Sequence, residues 1–340
     1  MTDPTTPPAP ATNAAGPSNE RFDYVPRRLH GVVPATTVFM DVSLLWIARA
    51  CAAGIVLVLL YVVYVVSLSA VPAMQRHGLE QLLTTDVYDV NKSQFGLAAP
   101  ILGTIYSSML ALGIATIFGV SIAIVLSQDF LPRWVVLIVR NIVELLAAIP
   151  SVVYGLWGIF VLIPYMQDLC GWLGNNFGWL PFFQGTLVGR GMLPAALVLG
   201  IMVLPTISSV SYQALRAVPT PLKEASYALG ASRWSTILRV TLPTAGGGIF
   251  GAVVLGFGRA LGETMALAML LGNVNRFSIS LFEPGNTLAA LIANTFPESG
   301  EIEKDVLIFG GLVLLTITLI VNIIGTLFVQ LAGGARRGGH

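Results

Sequence analysis

The stretch EASYALGASRWSTILRVTLP, Glu224 to Pro243, lies between two long apolar runs, and its reading decides the fold. Tyr227, Ala231, Trp234 and Leu238 follow one another at spacings of four, three and four residues, which predicts one apolar stripe along a surface helix. Lys223, Glu224, Arg233 and Arg239 are available for its wetter flanks. Such a helix either lies on a membrane surface or docks into the groove of a soluble partner.

The rest of the chain sets the context. It has 340 residues, 55% hydrophobic and only 10% charged, with a mean hydropathy of +0.80. A soluble domain carries about 25% charged residues, so most of these side chains must face lipid or other apolar helices. A net charge of +1 argues against a nucleic-acid partner. Cys51 and Cys170 make no disulfide framework and sit near no histidine. His30, His77 and His340 are scattered, so no metal site is expected.

Six segments are long and apolar enough to cross a bilayer, near 44–70, 99–127, 138–164, 191–215, 246–272 and 305–331. The fold class expected is therefore an all-α integral membrane protein. Residues 1–40 read as a disordered tail, because the start is rich in Pro, Ala and Thr and lacks an apolar signal-peptide core. The segment 44–70 then serves as an uncleaved anchor. One side of the spans collects twelve basic residues and the other five, with Arg259 alone inside a span. The positive-inside rule puts both termini, the tail 332–340 and the loop 216–245 in the cytoplasm. The segments 71–98, 165–190 and 273–304 become outer loops. In the second of these, Trp172, Phe177, Trp179, Phe182 and Phe183 form either an interfacial belt or a cap against a partner protein.

Charges inside spans are expensive, about 2.5–3.5 kcal/mol each on insertion scales, and usually face a bundle interior or a wet path. Arg259 and Glu263, in GFGRALGETMAL, are four residues apart and so are expected on one helical face. They are either an intrahelical ion pair or an anion site, with the Arg259 guanidinium binding an oxyanion and Glu263 holding Arg259 in position or accepting a proton-bearing oxygen of the ligand. A second anomaly is ELLAAIPSVVYGLWGIFVLIP, where Pro150 should kink or break the third span. Ser151 and Tyr154 could offer hydroxyls just after that break. Arg140 and Glu144 repeat the Arg-to-Glu spacing and read as an interfacial ion pair. Ser208, Ser209 and Ser211 read as hydrogen-bonding glue between helices.

The Glu224 segment resembles the cytoplasmic loop of ABC-importer permeases: Glu-Ala-Ala, three residues, Gly, nine residues, Ile, any residue, Leu-Pro. Glu224, Ala225, Gly230, Leu242 and Pro243 match, while Ser226 and Val240 replace an Ala and the Ile. Three further blocks, ELLAAIPSVVYGLWGIF, GRALGETMAL and SISLFEPGNTLAALIANTFPE, look like phosphate-importer permeases of the PstC type, in order and spacing over most of residues 99–331. The sister (PstA-type) permease usually follows the Arg-Ala-x-Gly-Glu core with Thr-Ala-Pro, whereas this chain has Thr264, Met265 and Ala266.

The resemblance implies a six-span subunit of the type I importer fold in a bacterial plasma membrane. It also implies a related permease as partner, two ATPase subunits docked on the Glu224 loop, and an external phosphate-binding protein. Glu224, Ala225, Gly230, Trp234, Leu242 and Pro243 would form the coupling loop. Arg259, Glu263 and Ser151 would line the path. ATP and Mg would be used by the partner ATPase, with no cofactor on this chain and no catalysis by it. No GxxxxGK[ST] phosphate cradle occurs in the sequence. The rival readings are a permease for another oxyanion, such as molybdate or sulfate, and a membrane subunit that senses phosphate.

Overall fold

The computed structural model describes residues 35–89, 94–128, 130–185 and 189–334. The chain divides into two compact units, residues 1–58 and 59–340. The expected disordered tail lies outside the described residues as far as residue 34, and from Ala35 the chain is helical. Of the expected C-terminal tail, residues 335–340 lie outside the described residues.

The helices are α1 (Ala35–His77), α2 (Leu79–Thr84), α3 (Ala98–Ser127), α4 (Arg133–Ala148), α5 (Ser151–Trp157), α6 (Ile163–Phe177), α7 (Met192–Arg216), α8 (Thr220–Ala228), α9 (Arg233–Thr236), α10 (Leu242–Leu261), α11 (Met265–Leu270), α12 (Leu288–Thr295) and α13 (Glu301–Gly334). A two-residue hairpin, β1 (Tyr88–Asp89) against β2 (Gln94–Phe95), is antiparallel. Among the described residues six helical stretches can cross a membrane: Ser43–His77, Ala98–Ser127, Ser151–Phe177, Met192–Arg216, Arg233–Leu261 and Glu301–Gln330.

The number of spans agrees with the sequence, but two of them are displaced. The third was expected over 138–164 and instead runs from Ser151 to Phe177. Pro150 holds Ile149 and itself in extended backbone, so α4 stops at Ala148 and becomes a separate amphipathic helix. The fifth was expected over 246–272 and instead runs from Arg233 to Leu261. Its C-terminal part is cut off at Gly262 and turns into the short α11. Both displaced spans carry one π-helical turn just ahead of a proline, Gly158–Leu162 before Pro164 and Ile237–Thr241 before Pro243. The widened turn absorbs the missing proline N–H, so neither helix breaks there.

α7 is the most buried span and the centre of the bundle. Its Val198, Leu199, Val203 and Ile207 pack with Ala111 and Ala115 of α3, Ala252 and Ala260 of α10, and Leu267 and Leu270 of α11. The α3 and α10 partners are alanines because lipid offers no hydrophobic drive, so close van der Waals packing must hold the helices together. A methyl group at Gly256 would meet the Ile207 side chain at 2.7 Å, which fixes α10 tightly against α7.

At the end of the bundle that holds the 71–98 segment, polar ties replace apolar packing. Tyr88 donates to Glu303 Oε1 at 2.9 Å, and Arg76 pairs with Asp305 at 3.0 Å. Burial, then the Glu303 hydrogen bond, push the Tyr88 phenol far above its ordinary range, so it stays a donor. The segment after α11 turns back along the bundle. Leu193 N–H donates to Leu281 O at 2.7 Å and Gly285 N–H to Leu271 O at 2.9 Å. The Asn286 amide bridges Asn273 and Asn275 at 2.7 and 2.6 Å. Of the aromatic residues expected as a belt or cap, Trp172, Phe177, Trp179 and Phe182 are exposed, while Phe183 turns inward towards Phe282.

Candidate functional site

Two helix breaks meet in the bundle. α5 and α11 touch through small residues: a methyl group at Gly155 would come within 2.7 Å of Met269 Sδ and 3.4 Å of Ala266 Cα. One at Gly158 would come within 2.7 Å of a Leu270 methyl. Gly155 thus lies beside 266–269 and Gly158 beside 270, so the two helices run parallel. Ser151 is the first residue of α5, one turn before Gly155, and Glu263 and Thr264 immediately precede α11. Glycine at both positions leaves room for the ends of the Met269 and Leu270 side chains.

Arg259 lies on the last turn of α10, next to this junction, and is exposed in the isolated chain. It stands three residues ahead of Gly262, where the fifth span breaks. Arg259 and Glu263 were expected to share a helical face, and they do not. The helix ends at Leu261, two residues short of Glu263. Among the described residues Arg259 has no ion-pair partner. Glu263 turns instead towards α11, where Oε1 accepts from the Ala266 N–H at 3.4 Å. A carboxylate at a helix start meets unpaired N–H groups and the positive end of the peptide dipoles.

Tyr154 is buried and its hydroxyl donates to Leu146 O at 2.8 Å. It satisfies one of the four carbonyls left open where α4 ends, so its proton is committed within the fold. Ser151 is half-buried and available at the junction. Among the described residues the three serines of α7, expected as glue, make no hydrogen bond to another helix. Ser209 Oγ donates to Thr206 O of its own helix at 3.2 Å, and Ser211 Oγ is buried without a partner among the described residues. Arg140 and Glu144 do pair, with Nε to Oε1 at 2.8 Å. The carboxylate's hydrogen bond, then its charge, raise the Arg140 guanidinium above its ordinary range.

The Glu224 segment was expected as one surface helix and is two. Gly230 takes φ +80°, a left-handed conformation natural only to glycine. Gly230 N–H donates to Tyr227 O at 2.9 Å and Ala231 N–H to Ser226 O at 3.1 Å, which together close the end of α8 as a Schellman turn. Ser232 then opens α9, its Oγ accepting from the Ser235 N–H at 3.2 Å. Ser226 and Thr236 hydroxyls bond at 2.9 Å and pin the two pieces together. Glu224 and Ala225 are exposed on α8, and Leu229 projects from the turn, 90% exposed. Trp234 is exposed on one side and stacks on Phe130 on the other, with centroids 5.3 Å apart. Leu242 and Pro243 open α10 and carry this knuckle straight into the fifth span.

Residues 115–333 match the family of binding-protein-dependent transport system inner membrane components. The chain belongs to that family. It is a multi-pass inner-membrane permease of the ABC-importer type. It is 42% identical over 262 residues to the phosphate transport system permease protein PstC of Xylella fastidiosa, covering 76% of this chain and 80% of that one. To PstC of Haemophilus influenzae it is 41% identical, covering 76% and 82%. To PstC 2 of Mycobacterium tuberculosis it is 36% identical over 283 residues, covering 81% and 87%. Among solved structures, the permease fold recurs in a bacterial ABC transporter involved in alginate import, with a TM-score of 0.59 over 89% of this chain and all of that one, at 17% identity. It recurs also in the MetNI methionine transporter, with a TM-score of 0.54 over 69% and 95%, at 20% identity.

Two features of the permease escaped the sequence reading. The half-helix α11 was legible only as Gly262 inside an apolar run, a signal equally compatible with an unbroken span. The separate α4 was signalled by the stripe Arg133, Arg140 and Glu144, whose polarity suits a helix that stops short of crossing.

Proposed function

We propose that this permease forms one half of the membrane path of an ATP-driven importer of inorganic phosphate. One observation carries the reading: Arg259, without an ion-pair partner among the described residues, stands just before the break of the fifth span, whose continuation α11 packs on α5 of the third. A guanidinium presents forked N–H donors that fit two oxygens of an oxyanion. The similarity to several PstC permeases supports phosphate as that oxyanion. Ser151 adds a hydroxyl from the third span, and Glu263, committed to α11, sets the floor of the site.

In this reading Arg259 is exposed because a second, related permease of the PstA type covers it. Both termini and the α8–α9 knuckle face the cytoplasm, in keeping with twelve basic residues on that side against five. Leu229, Tyr227 and Trp234 dock into separate ATPase subunits, which bind ATP and Mg and do the hydrolysis. An external phosphate-binding protein delivers the anion to the opposite face. Tilting the knuckle drives α10, with which it is continuous, and exchanges outward for inward access.

The test is ATP-dependent uptake of labelled phosphate into vesicles holding the reconstituted complex, with unlabelled sulfate, molybdate and arsenate as competitors. Arsenate should compete, and sulfate and molybdate should not. Competition by sulfate or molybdate would reassign the substrate to another oxyanion. Normal uptake with lost control of a signalling partner would favour the sensor.

A further inference from the structure

α4 and α7 face each other across a cavity of about 680 Å3 at the arginine-rich end of the bundle. Arg133, Arg140 and Glu144 line it from α4, all on one stripe. Ser208, Tyr212 and Arg216 line it from α7, four residues apart and so also on one stripe. We propose that this cavity is a second anion site, separate from Arg259, which binds a phosphate group: inorganic phosphate on its way inward, or the headgroup of an acidic phospholipid.

Three guanidiniums against one carboxylate leave the lining with a net charge of +2 (3 − 1). Each guanidinium keeps donors to spare, since arginine has five N–H groups. Arg140 spends Nε on Glu144, and Arg216 spends Nε on the Tyr212 hydroxyl at 3.1 Å, its plane 5.6 Å over the same ring. Arg133 has no hydrogen-bond partner among the described residues. The facing wall supplies neutral donors, the Ser208 hydroxyl and the Gln213 amide, so a tetrahedral oxyanion meets partners on both sides.

The position fits an exit. Ile207 packs on Gly256 of α10, so Ser208 marks the level just inward of that contact. Arg259 lies three residues, about 4.5 Å, outward of Gly256. From Ser208 the cavity continues to Arg216, the end of α7. Gln128 lines both this cavity and a smaller one of about 390 Å3 bounded by Tyr227 and Arg233 of the knuckle. An anion held here therefore sits one side chain away from the ATPase-docking segment. The transit role rests on the phosphate-importer reading, whereas the binding of a phosphate group does not.

Binding of radiolabelled inorganic phosphate to the assembled complex, in nanodiscs of zwitterionic phosphatidylcholine, tests the proposal. Arg259→Gln should retain a saturable phosphate component, and adding Arg133→Gln with Arg216→Gln should raise its dissociation constant at least tenfold. The lysine versions at 133 and 216 should recover part of the affinity, which separates lost charge from lost folding. In parallel, native mass spectrometry of complex purified from membranes reads retained phospholipid. Acidic lipid lost specifically in the Arg133→Gln/Arg216→Gln variant, with no phosphate component, assigns the site to a headgroup. If neither phosphate nor acidic lipid responds to those changes, the site does not exist. Arg259→Gln that still transports would sink the central reading while leaving this one intact.

Discussion

Arg-x-x-x-Glu recurs at Arg140–Glu144 and at Arg259–Glu263, and these two copies part at the backbone. In α4 the helix continues through both residues, their side chains meet on one face, and the pair closes at 2.8 Å. In the fifth span the helix stops at Leu261, so the same spacing no longer means the same face. Glu263 is drawn off to the start of α11, and Arg259 is left without a partner among the described residues. Identical spacing thus yields a neutralised pair in one place and an available cation in the other. The difference lies in Gly262, the residue that lets the chain leave the helix.

Replacing the cation at each copy should break the comparison most sharply. Arg259→Gln should reduce phosphate uptake to background while the complex still assembles. A charged hydrogen bond contributes about 1.5–3 kcal/mol, and a desolvated oxyanion loses two or more at once. Uptake at the normal rate by an assembled Arg259→Gln complex would demote Arg259 to a structural residue.

The knuckle comes next. At Gly230, with φ +80°, any side chain adds left-handed strain of about 1–2 kcal/mol. A β-branched residue adds more. Gly230→Val should leave the permease in the membrane but lower ATPase co-purification and coupled uptake about tenfold. If co-purification stays at the wild-type level, α8 and α9 are not the docking surface.

Charge exchange sharpens the contrast between the copies. Arg140→Glu with Glu144→Arg rebuilds an i,i+4 pair, in the orientation helices favour, and should recover most of what either single change loses. Arg259→Glu with Glu263→Arg should recover nothing, because no continuous helix face joins the two positions. Recovery of uptake there would mean that the residues meet as a pair during transport.

The sequence made six spans and the Glu224 segment legible because both depend on local pattern, length of apolar run in one case and residue spacing in the other. It left the breaks ambiguous because Pro150 and Gly262 permit a break without requiring one. What makes each break real is tertiary. Tyr154 satisfies an open carbonyl at the end of α4, and Gly155 and Gly158 let α11 pack against α5. Similarly, Gly230 was visible as a family position, but its left-handed turn follows only once Ser226 and Thr236 are seen to pin the two helices it joins.

The smallest effect expected separates two uses of one carboxylate. Glu263 Oε1 accepts from the Ala266 N–H, and a glutamine can offer the same oxygen without charge. If Glu263 serves the site by holding the start of α11, Glu263→Gln should keep uptake within about threefold of normal. Glu263→Ala, which loses the acceptor, should then fall further by roughly the value of one cap, about 1 kcal/mol. If Glu263 instead takes a proton from the anion, the glutamine and alanine variants should fail alike, because neither can accept one. Glu263→Asp would then rescue in part by restoring a base. Measuring uptake by the three variants side by side decides between the roles. The structure favours the first, since the broken helix has turned this carboxylate away from Arg259 and towards the α11 backbone.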